Sequence, residues 1–172
     1  MCAFFQFVPP SIQLLIAGAG IDVVPLAEMA HILGWETIIV DGRPNYINKN
    51  PYSASCAIQL AKPEEVLSKI NIDEYTFVAL MTHNYNYDKK LLSILLDYEV
   101  LPYVGMLGSK TKIIRMLDEF KEEGINISPD QLQKIHSPIG LDIGAENAAE
   151  IAVSIIGEIQ AKYARKEVIT KL

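Results

Sequence analysis

Cysteine is scarce in this chain. Of 172 residues only Cys2 and Cys56 are cysteines, far apart and outside any C-x-x-C spacing. A disulfide framework or a cysteine-built zinc site is thereby excluded, and a reducing cytoplasm is the expected setting. Long apolar runs are missing too: none approaches the roughly 18 residues of a membrane helix. The apolar opening at 1–10 lacks a basic leading segment and a small-residue cleavage site, so it reads as a lead-in packed on the domain, not a signal peptide. Positive charge is in deficit, 15 Lys and Arg against 21 Asp and Glu, which argues against broad nucleic-acid binding. Histidine occurs three times. His83, Asp88 and His136 would meet only through the fold, so no metal site is assigned, and no Ser-His-Asp or Cys-His nucleophile arrangement stands out.

What is present is the composition of one globular domain, half hydrophobic residues and 21% charged, long enough for a sizeable core. Short apolar runs alternate with stretches of helical period, the pattern of a mostly parallel sheet covered by helices on both faces. Strands are expected at 13–17, 37–41, 77–81 and 102–106, with a minor one near 57–60. Helices are expected at 23–33, from Pro63, at 88–96, from Ser109 to Gly124, from Ser128-Pro129, and from Asn147, whose partner Glu150 completes a capping-box spacing. The predicted organisation is a lead-in over 1–11, an α/β domain over 12–160 and a charged tail over 161–172.

Gly18-Ala19-Gly20 follows the first strand and opens a helix, and Asp41 ends the next strand. In a Rossmann-type fold the first glycine makes the tight turn and the second lets backbone approach a pyrophosphate. Free N–H groups at the helix start attract anions, and the acid accepts from ribose hydroxyls. The third glycine position holds Val23, and Asp22 stands where its carboxylate could cap those N–H groups and repel phosphate. A dinucleotide and a ligand-free version of the same fold both fit these residues. Asp41 favours NAD over NADP, with Arg43 as partial compensation for a 2′-phosphate.

His83 follows the third strand at the carboxyl edge of the sheet, where ligands of open α/β folds bind; Asp88 can orient it or cap the next helix. Gly108-Ser109, with Lys110, Lys112 and Arg115 behind it, reads as an anion cradle or as a capped helix with a solvated basic face. The loop from His136 to Gly144, with Pro138 and Gly140, has a restricted backbone that can wall a pocket or merely connect. His31, Trp35 and the tyrosines at 85, 87 and 98 read as packing or rim residues, and Cys56 as an ordinary loop thiol.

Several dispersed segments occur in a fixed order: Thr82-His83 with Asp88, Tyr103 to Lys112, Pro138 to Ala145, and Glu150 to Ile155. They resemble the T-H-x4-D, Y-x-G-x-x-G-S-x-x-K, P-I-G-L-x-I-G-A and E-I-A-x-S-I motifs of the xanthine dehydrogenase accessory protein (XdhC/CoxI) family. With the glycine turn and the V-D-x-R strand end, the resemblance spans roughly residues 10 to 160. It implies a Rossmann domain and a role in maturing molybdenum hydroxylases: binding molybdenum cofactor, supporting its sulfuration by a cysteine desulfurase, and delivering it to the apoenzyme. It implies a cofactor-binding chaperone more than a catalyst, with a homodimer as the expected assembly. On this reading Gly108, Ser109 and Lys112 hold phosphate, His83 contacts the ligand, and Pro138 and Gly140 close the pocket. The chain departs from the family at Ile21-Asp22, where a histidine is usual, and shows no counterpart of the family's separate N-terminal domain. An NAD(P)-dependent oxidoreductase using Gly18, Gly20 and Asp41, and a ligand-free interaction module, are the rival readings.

Overall fold

β1 (Gln13–Ala17) is the middle of the molecule. In the computed structural model, which describes residues 10–47, 56–68 and 70–165 together with Phe4 and Tyr52, this strand pairs in parallel with β2 (Glu36–Asp41) on one side and β4 (Thr76–Leu80) on the other. β3 (Ala57–Leu60) extends the sheet beyond β2, and β5 (Tyr103–Met106) and β6 (Ile135–His136) extend it beyond β4. The order is β3-β2-β1-β4-β5-β6, the strand order of a doubly wound dinucleotide-binding fold. Helices α1 (Val24–Ile32), α3 (Tyr85–Leu95) and α4 (Lys110–Glu122) lie in the crossovers between parallel strands, α6 (Ala148–Tyr163) follows the last strand, and one-turn helices α2 (Pro44–Ile47) and α5 (Pro129–Leu132) sit in the loops.

Both faces of the sheet are covered, so its central strands are continuously apolar. Successive side chains point to opposite faces. Leu14 and Ile16 join a core with Leu26, Ala30, Ile155 and Ile159 under α1 and α6. Leu15 and Ala17 join a second core with Leu91, Leu95, Met116 and Phe120 under α3 and α4. Each fully buried Leu or Ile contributes about 2 kcal/mol by leaving water. Local side-chain caps fix the starts of α3, α5 and α6. Asn84 accepts from Tyr87 N–H at α3, and capping boxes open α5 (Ser128 with Gln131) and α6 (Asn147 with Glu150), so two orphan N–H groups are satisfied reciprocally at each.

Two elements differ from the sequence pattern. Among the described residues the segment from Pro63 forms a 3-10 turn at Val66–Ser68, and Asn71 and Asp73 follow, side chains that favour turns over helix, with Asp73 Oδ1 accepting from Tyr75 N–H. β6 was not expected: two residues are too few to show a period, and it is held through Val104 N–H donating to Lys134 O at 2.8 Å. Most of the expected lead-in and tail lies outside the described residues, although α6 itself runs to Tyr163. Among the described residues no helix is long and apolar enough to cross a membrane.

Candidate functional site

In a sheet of this order the ligand crevice is expected between β1 and β4, where the strand order reverses. Here that boundary is occupied by groups of the protein that bond one another. Gly18 adopts φ +124, and a Cβ on it would lie 2.3 Å from Met81 O, so the turn after β1 presses directly on the end of β4. Asp41, 1% exposed, accepts four hydrogen bonds. Ala19 N–H donates to Oδ2 at 2.8 Å, Arg43 N–H to Oδ1 at 2.8 Å, and the Arg43 guanidinium to both oxygens at 2.9 and 2.7 Å. Burial pushes the Asp41 carboxyl up, but the bonds from Arg43 and Ala19 outweigh it and hold the acid below its ordinary range. The acceptor capacity that a ribose would use is taken, and the Arg43 guanidinium, 3.7 Å over the Tyr46 ring, covers the carboxylate.

The pH sign follows. A carboxyl depressed below 3.8 stabilises the fold fully above about pH 4 and loses that contribution as pH falls through the folded value. Asp41→Asn is therefore expected to be less stable than the parent at pH 7, with the gap narrowing below pH 4. Urea midpoints at pH 7 and pH 3 check this; a gap of constant size would show that the ion pair is not what holds the turn.

Asp22 does not cap α1, whose start has no side-chain cap. Its Oδ1 folds over Gly20, and its Oδ2 lies 2.7 Å from His83 Nε2. This pair bridges the β1 and β4 loops across the crevice. His83 holds φ 57, a left-handed conformation uncommon for a non-glycine residue. Asp88 neither orients His83 nor caps α3. Wholly buried, it accepts from Thr82 Oγ1 at 2.6 Å and from Lys112 Nζ at 2.8 Å. Lys112 also donates to Leu107 O at 3.0 Å, and its stem crosses Gly108, where a Cβ would lie 2.8 Å from Lys112 Cδ. The ammonium expected at a phosphate is thus neutralised inside the protein, and Gly108 leaves room for its stem.

Open space lies one strand further along. A cleft of about 790 Å³ is lined by the β5–α4 loop with Ser109 and Lys110, by the loop from His136 to Ala145, and by Ser154 and Glu158 of α6. Ser109 stands at the N-cap of α4 with no side-chain cap bond, so its hydroxyl remains for other use. Pro138 follows a cis peptide bond, and Gly140, at φ +92, lies so close to α6 that a Cβ would meet Ser154 Oγ at 2.2 Å. Of the expected site residues, Gly108, Ser109, Pro138 and Gly140 come together at this cleft. Gly18, Gly20, Asp41, Arg43 and His83 lie at the turn between β1 and β4, and buried Asp88 pairs with half-buried Lys112.

The cleft wall also holds a constellation that sequence spacing does not assemble. Glu158 Oε2 accepts from Tyr103 O–H at 2.5 Å and Gly140 N–H at 2.8 Å, and Oε1 lies 2.9 Å from His136 Nδ1. Burial raises the Glu158 carboxyl, but the bonds from His136, Tyr103 and Gly140 prevail and hold it below its usual range. Burial pushes the Tyr103 phenol up, so it stays a donor. The Tyr103 and His136 rings lie 4.4 Å apart. His136 Nε2 and Ser137 Oγ are buried without a hydrogen-bond partner. The one local signal is Glu158 recurring eight residues after Glu150 on the face that carries the buried isoleucines, but its partners are remote in sequence.

A family model described as the XdhC Rossmann domain matches residues 14–159. The chain belongs to the XdhC family. It is 33% identical over 91% of its length to a probable xanthine dehydrogenase subunit of Bacillus subtilis (strain 168), covering 44% of that protein. It is 27% identical over 86% of its length to the uncharacterized protein YqeB of Escherichia coli (strain K12), covering 26% of it. Among solved structures, a xanthine dehydrogenase from Bacillus halodurans superposes with a TM-score of 0.79 at 33% identity, over 94% of this chain and 45% of that one. This XdhC Rossmann domain therefore spans less than half the length of these relatives.

Proposed function

We propose that this XdhC domain handles molybdenum cofactor for a molybdenum hydroxylase: it binds the cofactor, supports its sulfuration by a cysteine desulfurase and passes it to the apoenzyme. The observation that carries the reading is the position of open space, a cleft beside β5, β6 and α6, while the turn that would seat a dinucleotide is filled by Asp22, His83, Asp41 and Arg43. The residues fit a flat, hydrogen-bonding heterocycle that carries a phosphate. The Ser109 hydroxyl, the Lys110 ammonium and the start of α4 suit an anion. The loop from Pro138 to Ala145, which also lines the cleft, offers backbone polar groups to the edge of a ring system. When bound, the cofactor would supply the metal and its sulfur ligand; the chain would orient it and shield it from water. The proposal extends to a homodimer in a reducing cytoplasm.

Titration of the purified chain with molybdenum cofactor, NAD and NADP by calorimetry tests this. Cofactor is expected to bind, and neither dinucleotide to do so below millimolar concentration. Binding of NAD with turnover of an alcohol or carbonyl substrate would replace the accessory reading by an oxidoreductase. Changing both Ser109 and Lys110 to alanine is expected to weaken cofactor binding about tenfold or more, the scale of one charge-assisted hydrogen bond. The far-ultraviolet circular dichroism should not change. Unaltered affinity would remove these residues from the site.

A further inference from the structure

We infer that residues 142–145 are a lid that closes on the ligand of the cleft and lays Ile143 over it, a reading that rests on the cleft being the ligand site. The lid is the free tip of a loop whose two ends are fixed.

At the first end Ile139 N–H donates to Met106 O at 3.0 Å, Gly140 N–H to Glu158 Oε2 at 2.8 Å and Leu141 N–H to Ser154 O at 3.2 Å. The Leu141 side chain lies against Gly157 of α6, where an added Cβ would be 3.0 Å from its Cδ1. At the far end Glu150 Oε2 accepts from Glu146 N–H at 2.8 Å and from Asn147 N–H at 3.3 Å. Between these anchors Ile143 N–H donates to Leu141 O at 3.0 Å. Among the described residues nothing accepts from the N–H groups of Asp142, Gly144 and Ala145. Gly140 and Gly144 are both left-handed, yet their surroundings are opposite. A Cβ on Gly140 would strike Ser154 Oγ, whereas nothing lies within 4 Å of one on Gly144. The backbone at Gly144 is therefore free to turn without meeting a neighbour.

The tip also has room to move. Ile143, Gly144 and Ala145 line the 790 Å³ cleft and also a second hollow of about 390 Å³, shared with Glu146, Glu150 and Val153. A shift toward the larger space narrows it at the expense of the smaller one. Ile143 gives the direction. It is 54% exposed, whereas Ile139 on the anchored stem is 6% exposed. Laid on the flat face of a bound ring system, Ile143 would leave water and the ligand would be covered on that side. Without a ligand that apolar surface has nothing to meet, so the open position is the resting one.

Amide hydrogen exchange with and without molybdenum cofactor tests the lid. In the free chain the amides of 142, 144 and 145 are expected to exchange about a hundredfold or more faster than those of 139–141. Saturating cofactor should slow the tip about tenfold or more and leave 146 and 147 as they were. A fixed wall touched by the ligand would be slowed as well, so stopped-flow binding makes the separation. The observed rate should level off as cofactor concentration rises, because closure follows encounter at a rate of its own. Ile143→Ala should leave association unchanged and raise dissociation roughly five- to tenfold, the share of an isoleucine half exposed beforehand. Ile143→Leu should restore most of that loss. Tip amides as slow as the stem in the free chain, or unslowed by bound cofactor, would overturn the lid. So would an observed rate that rises linearly without limit, or unchanged dissociation from Ile143→Ala. In each of those cases cofactor still binds and the cleft reading stands; if no cofactor binds, the cleft reading falls and the lid with it.

Discussion

Gly18→Ala is expected to lower folding stability by about 3 kcal/mol or more, from backbone strain of roughly 1–3 kcal/mol plus overpacking of similar size. At φ +124 the added methyl would meet Met81 O at 2.3 Å, Met81 C at 2.6 Å and Thr82 N at 3.0 Å. All three are backbone atoms of the neighbouring loop, so relief requires β1 and β4 to part, and these are the two central strands. Gly34→Ala is the control: its φ is +73, but nothing lies within 4 Å of the added Cβ, so only the left-handed backbone is penalised, about 1 kcal/mol. Urea unfolding of both variants at pH 7 separates space from conformation. A Gly18→Ala loss no greater than that of Gly34→Ala would mean that the turn adjusts freely.

The second large effect belongs to the pair formed by Asp88 and Lys112. Lys112→Met should cost about 3–5 kcal/mol, because it leaves a wholly buried carboxylate without its cation. Combining it with Asp88→Asn, which keeps a partner for Thr82 and removes the charge, should restore at least half of the loss. A double-mutant cycle measures that coupling. Ligand affinity provides the discriminating readout. If Lys112 serves the fold, the double variant binds cofactor as the parent does; if it serves a phosphate, stability returns and binding does not. A Lys112→Met loss under about 1 kcal/mol would place this pair with exposed ion pairs in strength.

The residues differ in how much they disclose beforehand. Runs such as 13–17 and 77–81 are apolar because both faces of the sheet are covered, and that is written locally, as are the caps at Asn147 and Ser128. The glycine turn and Asp41 are legible for the same reason: a strand, a turn and a strand end lie close in sequence. What they hold is not. Arg43 reads as a residue near a ribose, yet its guanidinium closes on Asp41 two residues away. Lys112 follows Gly108-Ser109 and so reads as a phosphate ligand, but a lysine stem is long enough to reach a carboxylate on another helix. His83 and Asp22 are 61 residues apart, and Tyr103 and His136 lie 55 and 22 residues from Glu158. Such meetings depend on which strands become neighbours, and no period or local spacing encodes them. The family resemblance identifies the segments that surround the cleft without saying which atoms face one another.

The sheet order has a consequence in time as well as in space. β1 pairs on one side with β2, which follows closely, but on the other with β4, so that Gln13 must wait for Thr76. During synthesis at roughly 5–20 residues per second, an apolar strand with one open edge is presented for several seconds before its second neighbour exists. Parallel pairings of this separation form slowly, since the loop must close before any contact rewards it. The α6 wall of the cleft, with Glu158, arrives later still. The cleft therefore lacks one of its walls until α6 docks, so it is completed only at the end of folding.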